Sequence, residues 1–302
     1  MSTENPVIGL LGIGEMGGNM ARELTGAGFR VVSVLTGRSR ESVGRAKEAG
    51  IEDAADLTSL VAACDILFSV LPPAVAQEEA RAVADCLRDA PKPLIFVEGN
   101  AISPVLVREI ADLFDDTPAT FVDGGIVGQP PKDGKVPRLY LSGTGSEMLD
   151  VLDGPAFEIV HLGDCIGDAS GFKMVYASQT KGHNALLTAG FVAAERMGLL
   201  EAFIAELKRS QPGFLTKAET NIPRLPADAG RWVREMEEIR DTYEALGLTG
   251  GFHEGAAAMM RLLANSPFGH ETRRTRDTSR GMVETVRALA PQAANENRRS
   301  ER

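Results

Sequence analysis

Val7-Ile-Gly-Leu-Leu-Gly12-Ile13-Gly14-Glu15-Met16-Gly17, a helical run, and then Arg30-Val-Val-Ser-Val-Leu-Thr36-Gly-Arg38-Ser39 decide the fold of this chain. The stretch reads strand, tight turn, helix, strand. An apolar run stops at Gly12, which permits the turn. Gly14 lets a pyrophosphate approach the backbone, and Gly17 lets the helix lie close on the strand. A helix opening near Glu15 offers free N–H groups and the positive end of its dipole to a phosphate. Ala21, Leu24 and Ala27 keep helical spacing, and Gly28 closes the helix. The alternative is a tight glycine turn in another α/β fold.

The end of the second strand bears on which dinucleotide is held. An Asp or Glu there would hold a ribose 2′-hydroxyl. Leu35-Thr36-Gly37-Arg38-Ser39-Arg40 contains no acid, and a guanidinium would grip a 2′-phosphate that a carboxylate would repel. NADP is therefore the expected cofactor, with NAD as the alternative; otherwise Arg38 and Arg40 are solvated charges at a helix start.

Working outward, strands and helices alternate. A helix over Glu41–Ala49 is closed by Gly50, Ile51–Ala54 is a short strand, and Asp56–Ala63 a short helix. Asp65–Leu71 is a continuous apolar strand of the kind buried on both faces, ending in Pro72-Pro73. A helix to about Arg88 comes next, then a strand at Pro93–Val97 ending in Glu98-Gly99-Asn100. Ser103-Pro104 caps the next helix. Ala119–Val122 is a strand expected to end in an Asp123-Gly124-Gly125 loop. Arg138–Ser142 and Glu158–Leu162 read as late strands at one edge. The pattern predicts a parallel, doubly wound Rossmann-type sheet over 1–165. Ligands of such sheets bind beyond the carboxyl ends of the strands.

From 166 the character changes. Phe172–Gly198 reads as one long helix, and Leu200–Arg209, Thr216–Ile222, Ala229–Leu246 and Glu254–Leu263 as further helices. The expectation is an all-helical domain over 166–290 for substrate and dimerisation, then a polar tail over 291–302. Lys173, Tyr176, Ala177, Thr180 and Asn184 share one face of an unbroken helix. A lysine there beside Met174 and Val175 is either a partly desolvated acid–base group or one snorkelling out of a core helix.

With 302 residues the chain has room for two domains. A net charge of −10 argues against a nucleic-acid partner. Three cysteines, Cys64, Cys86 and Cys165, form no C-x-x-C, so reduced thiols in a cytoplasmic protein are expected, not disulfides or zinc. The first residues lack the features of a signal peptide, and no apolar run approaches ~20 residues, so no membrane span or membrane partner is expected. No metal site is expected: His253-Glu254 lacks a second histidine. Gly128–Lys135 has the wrong spacing for a phosphate loop, and Val136 stands where it needs Ser or Thr. The long helix is apolar all round, which predicts a homodimer.

These motifs, in this order, resemble the β-hydroxyacid dehydrogenase and 6-phosphogluconate dehydrogenase superfamily. The resemblance rests on Gly12-Ile-Gly14-Glu-Met16-Gly17, Leu71-Pro72, Asn100-Ala-Ile-Ser103-Pro104, the glycine-rich Asp123–Pro131 and the Lys173-Met-Val helix start. It covers about the first 200 residues. Beyond Ala185 the chain is similar to a less-studied branch marked by Thr180-Lys-Gly and Arg231–Ile239. The resemblance implies hydride transfer between NADP(H) and a small, carboxylated hydroxy or keto substrate. Lys173 is the catalytic residue it implies, and Tyr176 is a second catalytic candidate whose alternative is core packing. It further implies cofactor contacts at Gly12, Ile13, Gly14, Glu15, Met16, Gly17, Thr36, Arg38, Ser39, Leu71, Pro72, Pro73, Asn100 and Arg234. Substrate contacts are implied at Asn100, Gly124, Gly125, Gly128, Gln129 and Thr180. Ala177 stands where the family has Asn, and Val127-Gly128-Gln129 where it has Ser-Gly-Gly. Tyr176 and Gln129 are candidates for those missing polar groups. Thr180 replaces the glutamate that decarboxylating members use, so decarboxylation is not expected. Two other readings stay open: imine reduction, with Tyr176 one turn from Lys173, and a non-catalytic NADP-binding sensor. For Arg234, the alternative is a solvated charge on an amphipathic helix.

Overall fold

The computed structural model describes residues 5–290. The tail expected over 291–302 lies outside the described residues. Element order is β1 (Ile8–Leu10), α1 (Glu15–Gly26), β2 (Val31–Ser33), α2 (Arg40–Ala49), β3 (Glu52–Asp53), α3 (Leu57–Ala63), β4 (Ile66–Ser69), α4 (Ala76–Asp89), β5 (Leu94–Glu98), α5 (Pro104–Ala111), β6 (Ala119–Val127), β7 (Arg138–Ser142) and β8 (Glu158–His161). These strands form one eight-stranded sheet, ordered β3-β2-β1-β4-β5-β6-β7-β8. All pairs are parallel except β6 with β7.

The strands are apolar on both sides because helices cover both faces. Ile66 and Phe68 enter one buried cluster with Met20 and Leu24 of α1, while Leu67 points to the other with Val83 and Leu87 of α4. Local signals set the element ends. Ser39, Asp56 and Ser103 accept the backbone N–H of Ser42, Ser59 and Leu106, so each caps a helix. Gly50 ends α2 at φ 71°.

One expectation in this half is corrected. Asp123-Gly124-Gly125 is not a loop: β6 runs on to Val127, because antiparallel β7 pairs with it from Asp123↔Ser142 to Val127↔Arg138. The connection between them closes on a tight turn at its tip. Asp133 at φ 53° and Gly134 at φ 75° sit between Lys132 and Lys135, which exchange backbone bonds of 2.9 and 3.0 Å. An Asp-Gly pair at positive φ is the favoured hairpin turn.

The helical half comprises α6 (Asp168–Ala177), α7 (His183–Arg196), α8 (Leu200–Ser210), α9 (Pro212–Asn221), α10 (Pro226–Ala245), α11 (Gly251–Ala264) and α12 (Met282–Leu289). The chain divides into two compact units between Val175 and Tyr176. The helical stretch that the sequence assigns to the second domain from 166 thus spends its first turns against the sheet. No strand occurs among the described residues beyond Tyr176.

Two further expectations differ here. Phe172–Gly198 is not one regular helix: Ser178–Gly182 form a π turn between α6 and α7. The Thr180 hydroxyl donates to the Tyr176 and Ala177 carbonyls at 3.2 and 3.4 Å, competing for acceptors at that turn. One extra residue rotates the subsequent helix by about 100°. The single face drawn through Lys173, Tyr176, Thr180 and Asn184 is therefore broken after Ala177. Helix α12 carries no signal in the sequence, being eight residues long and opening on Gly281 without a side-chain cap.

Candidate active site

The glycine turn has two close backbone approaches, at Gly12 and Gly17, and open space at Gly14. A Cβ on Gly12 would stand 2.0 Å from the Val70 carbonyl oxygen, and one on Gly17 would stand 2.0 Å from the oxygen of Gly12. A Cβ on Gly14 would meet nothing within 4 Å. Gly14 is also the N-cap of α1 and makes no side-chain cap bond, so the first N–H groups of the helix have no capping side chain. The space over an uncapped helix start fits a dinucleotide pyrophosphate. Ile13 is buried, Met16 half-buried, and Glu15 exposed beside them.

Around this turn, Thr36 is exposed beyond the end of β2 and Gly37 turns the chain at φ 76°. The Arg38 guanidinium donates to the carbonyls of Leu11 at 3.0 Å and Val34 at 3.3 Å, bridging the ends of β1 and β2. Ser39 is occupied as the cap of α2. Arg45, which no motif singles out, reaches the Ile13 carbonyl at 3.4 Å and pairs with Glu41.

Asn100 is buried and joins two strand ends. Its Oδ1 accepts the Leu71 N–H at 2.5 Å, and its Nδ2 donates to the Ser69 hydroxyl at 2.8 Å. It thereby fixes the start of the Leu71-Pro72-Pro73 segment, in which Pro73 begins a short 3-10 turn. A cavity of ≈ 320 Å³ brings Gln129, beyond the end of β6, together with Glu15 and Asn19 of α1 and Lys132. Gly128 is exposed beside Gln129 on the same turn. Gly124 and Gly125 lie inside β6, where they serve close packing. A Cβ on Gly125 would stand 2.6 Å from the Ala169 carbonyl oxygen and 3.4 Å from the Lys173 Cβ, so α6 rests directly on the strand.

That packing places Lys173. Its Nζ donates to the carbonyls of Gly99 at 3.1 Å and Asn100 at 2.8 Å, at the carboxyl end of β5. Beneath it runs a row of polar residues whose place in the sequence suggests only strand ends. Ser69, Glu98, Asp123 and Ser142 are register partners across β4, β5, β6 and β7, and all are fully buried. Asp123 accepts the Ser142 hydroxyl at 3.1 Å, the Gly167 and Ser170 N–H groups at 3.0 Å each, and the Ser170 hydroxyl at 2.5 Å. A carboxylate at this point anchors the N-terminus of α6. Burial nevertheless pushes the Asp123 carboxyl above its usual range, with the Ser170 bonds opposing. The available signal is an acid closing each apolar strand, Val97-Glu98 and Val122-Asp123, with glycine behind it.

Tyr176 is 49% exposed, and Thr180 spends its hydroxyl on backbone carbonyls. In the helical unit Arg234 is engaged by its own helix, with Glu237 at 3.3 Å and Glu238 at 2.7 Å. Among the described residues no group of three or more His, Cys, Asp or Glu could hold a metal.

Residues 7–153 match the family of the NAD binding domain of 6-phosphogluconate dehydrogenase, and residues 194–263 match a domain of unknown function (DUF1932). The solved structure of conserved protein MTH1747, of unknown function and described as similar to 3-hydroxyacid dehydrogenases, is 28% identical. It covers 85% of this chain and 96% of its own, with a TM-score of 0.62. A 3-hydroxyisobutyrate dehydrogenase from Salmonella typhimurium shares the fold at 19% identity, covering 94% of this chain and 99% of that one, TM-score 0.67. A reductive aminase from Aspergillus terreus, solved with NADPH and ethyl-5-oxohexanoate, shares it at 20% identity, 91% and 100% coverage and TM-score 0.52. The dinucleotide-binding half of the chain is thus a member of the 6-phosphogluconate dehydrogenase NAD-binding family, joined here to a helical C-terminal region that matches a separate domain of unknown function.

Proposed function

We propose that the chain is an NADP(H)-dependent oxidoreductase that interconverts a small, carboxylated hydroxy acid and its keto form without decarboxylation. The observation that carries this reading is the Lys173 ammonium, held on the Gly99 and Asn100 carbonyls at the carboxyl end of the sheet. Doubly wound sheets bind ligands at that end. A bound nicotinamide dinucleotide would supply hydride acceptance and donation. Gly12 to Gly17 and the first N–H groups of α1 would hold its pyrophosphate. Arg38 and Ser39 would meet a 2′-phosphate, and the absence of a carboxylate at the end of β2 favours NADP over NAD.

The chain's own task is then proton handling and positioning. In alcohol oxidation the substrate O–H bond breaks and its proton goes to Lys173 Nζ in its neutral amine form; in reduction the ammonium returns it. Asn100 and Gly128-Gln129 would orient the substrate. We further infer a homodimer and, from three unpaired thiols, a cytoplasmic setting.

The test is turnover of small hydroxy acids with NADP and NAD, of keto acids with the reduced cofactors, and of cyclic imines with NADPH, in wild type and Lys173→Met. The expected result is hydroxy-acid turnover with NADP that falls on the order of 100-fold or more in the variant, while NADPH still binds. Near-normal turnover in Lys173→Met removes the lysine assignment, and turnover of imines alone replaces the substrate class. NADPH binding without turnover of any of these leaves a cofactor-binding sensor.

A further inference from the structure

Glu98 and Asp123 are adjacent buried carboxyls with unequal surroundings. Asp123 has donors for both oxygens. Glu98 does not: its Oε1 accepts the Asn100 N–H at 2.9 Å, and its Oε2 has no hydrogen-bond partner. A carboxylate fully excluded from solvent and short of donors is held only if a nearby positive charge compensates it. Lys173 supplies that field. Its nitrogen is tethered to the carbonyls of the two residues that come directly after Glu98.

We propose that Glu98 is a positioning residue that sets the charge on Lys173, the two side chains forming one coupled acid–base unit. Ionised Glu98 holds Lys173 as the ammonium; neutral Glu98 makes release of the proton easier. This rests on the acid–base reading of Lys173 given above. No proton passes between the two groups: the substrate hydroxyl proton is gained or lost at Nζ, and the carboxyl acts through its field. The charged groups that face Glu98 are Asp123 from β6, which opposes its ionisation, and Lys173 from α6, which favours it; the uncharged Ser69 hydroxyl from β4 favours it more weakly. Burial pushes the Glu98 carboxyl up to about 8, against the opposing pull of the Asn100 N–H and of Lys173. Its charge therefore changes near neutrality, and the pair titrates in two shared steps.

The test uses the full chain carrying lysine isotope-labelled at Cε, with the Lys173 resonance identified by its loss in Lys173→Met. In the wild type the Lys173 resonance is expected to show two inflections with pH, one at the carboxyl step and one at its own. Glu98→Gln should remove the first and lower the second by about one pH unit, while Glu98→Asp, which restores the charge, should keep both. A residue of merely structural importance would change stability without moving this titration. A single inflection in the wild type overturns the proposal even if Glu98→Gln fails to fold, as does an unmoved Lys173 titration in a folded Glu98→Gln protein. Either result, with turnover still lost in Lys173→Met, removes the role of Glu98 and leaves the acid–base reading standing. Retained turnover in Lys173→Met removes that reading itself, and with it the catalytic role of the pair.

Discussion

Three glycines separated by one and two residues do different work, and single methyl groups tell them apart. Gly12→Ala sets a Cβ 2.0 Å from a backbone oxygen of β4's exit, which cannot give way as a flexible side chain would. The expected loss is on the order of 3 kcal/mol of stability, read by urea denaturation. Gly14→Ala meets nothing within 4 Å at an ordinary φ of −73°, so the fold should be unchanged. Its methyl would instead stand over the uncapped start of α1 and weaken NADPH binding by about tenfold, or ~1.4 kcal/mol. Undiminished NADPH affinity in a folded Gly14→Ala protein would show that the pyrophosphate does not lie there. The glycine turn is legible in the sequence because its requirement is local: spacing alone states where backbone must approach backbone. Glu98 and Asp123 are visible there only as strand-end letters. Their burial depends on which strands become neighbours, and that is a property of the sheet.

At the level of elements, local composition misjudges where an element ends when its partner comes from elsewhere. Asp123-Gly124-Gly125 has loop composition, yet β7 pairs along it and α6 packs on it. The helical reading runs on through Ser178–Gly182, but the backbone forms a π turn there, with the Thr180 hydroxyl on the Tyr176 carbonyl. By contrast the order of strands and helices, the caps at Ser39, Asp56 and Ser103, and the late edge strands come from alternation and cap chemistry alone. The anchoring of α6 is itself testable. Asp123→Ala leaves the Gly167 and Ser170 N–H groups and the Ser142 and Ser170 hydroxyls without their acceptor, in a site closed to water. The expected cost is on the order of 3 kcal/mol or more. Because Asp123 fixes the start of the helix that carries Lys173, turnover should fall further than the folded fraction does. A loss below about 1 kcal/mol would mean that α6 is held by packing alone.

For the molecule as a whole, the question is what the helical unit does with its remaining apolar surface. Single exposed apolar side chains are ordinary, but a contiguous patch on a folded protein marks a contact. Leu186 of α7 and Phe252 of α11 are 71% and 75% exposed. They line the same cavity of ≈ 700 Å³, together with Ala189, Tyr243 and Met259. Among the described residues no helix is long and apolar enough to cross a membrane, so the patch is not part of a helical span. A net charge of −10 keeps copies apart unless a specific apolar contact outweighs it. The expected state is a homodimer through this face, measured by sedimentation equilibrium at micromolar concentration. Leu186→Glu with Phe252→Glu should yield a folded monomer, since both side chains project from the surface and burial of neither supports the fold. The doubly substituted chain should also keep the Lys173 titration, because that site is built within the other unit. If the wild type sediments as a monomer, the exposed apolar face has another occupant and the dimer expectation falls.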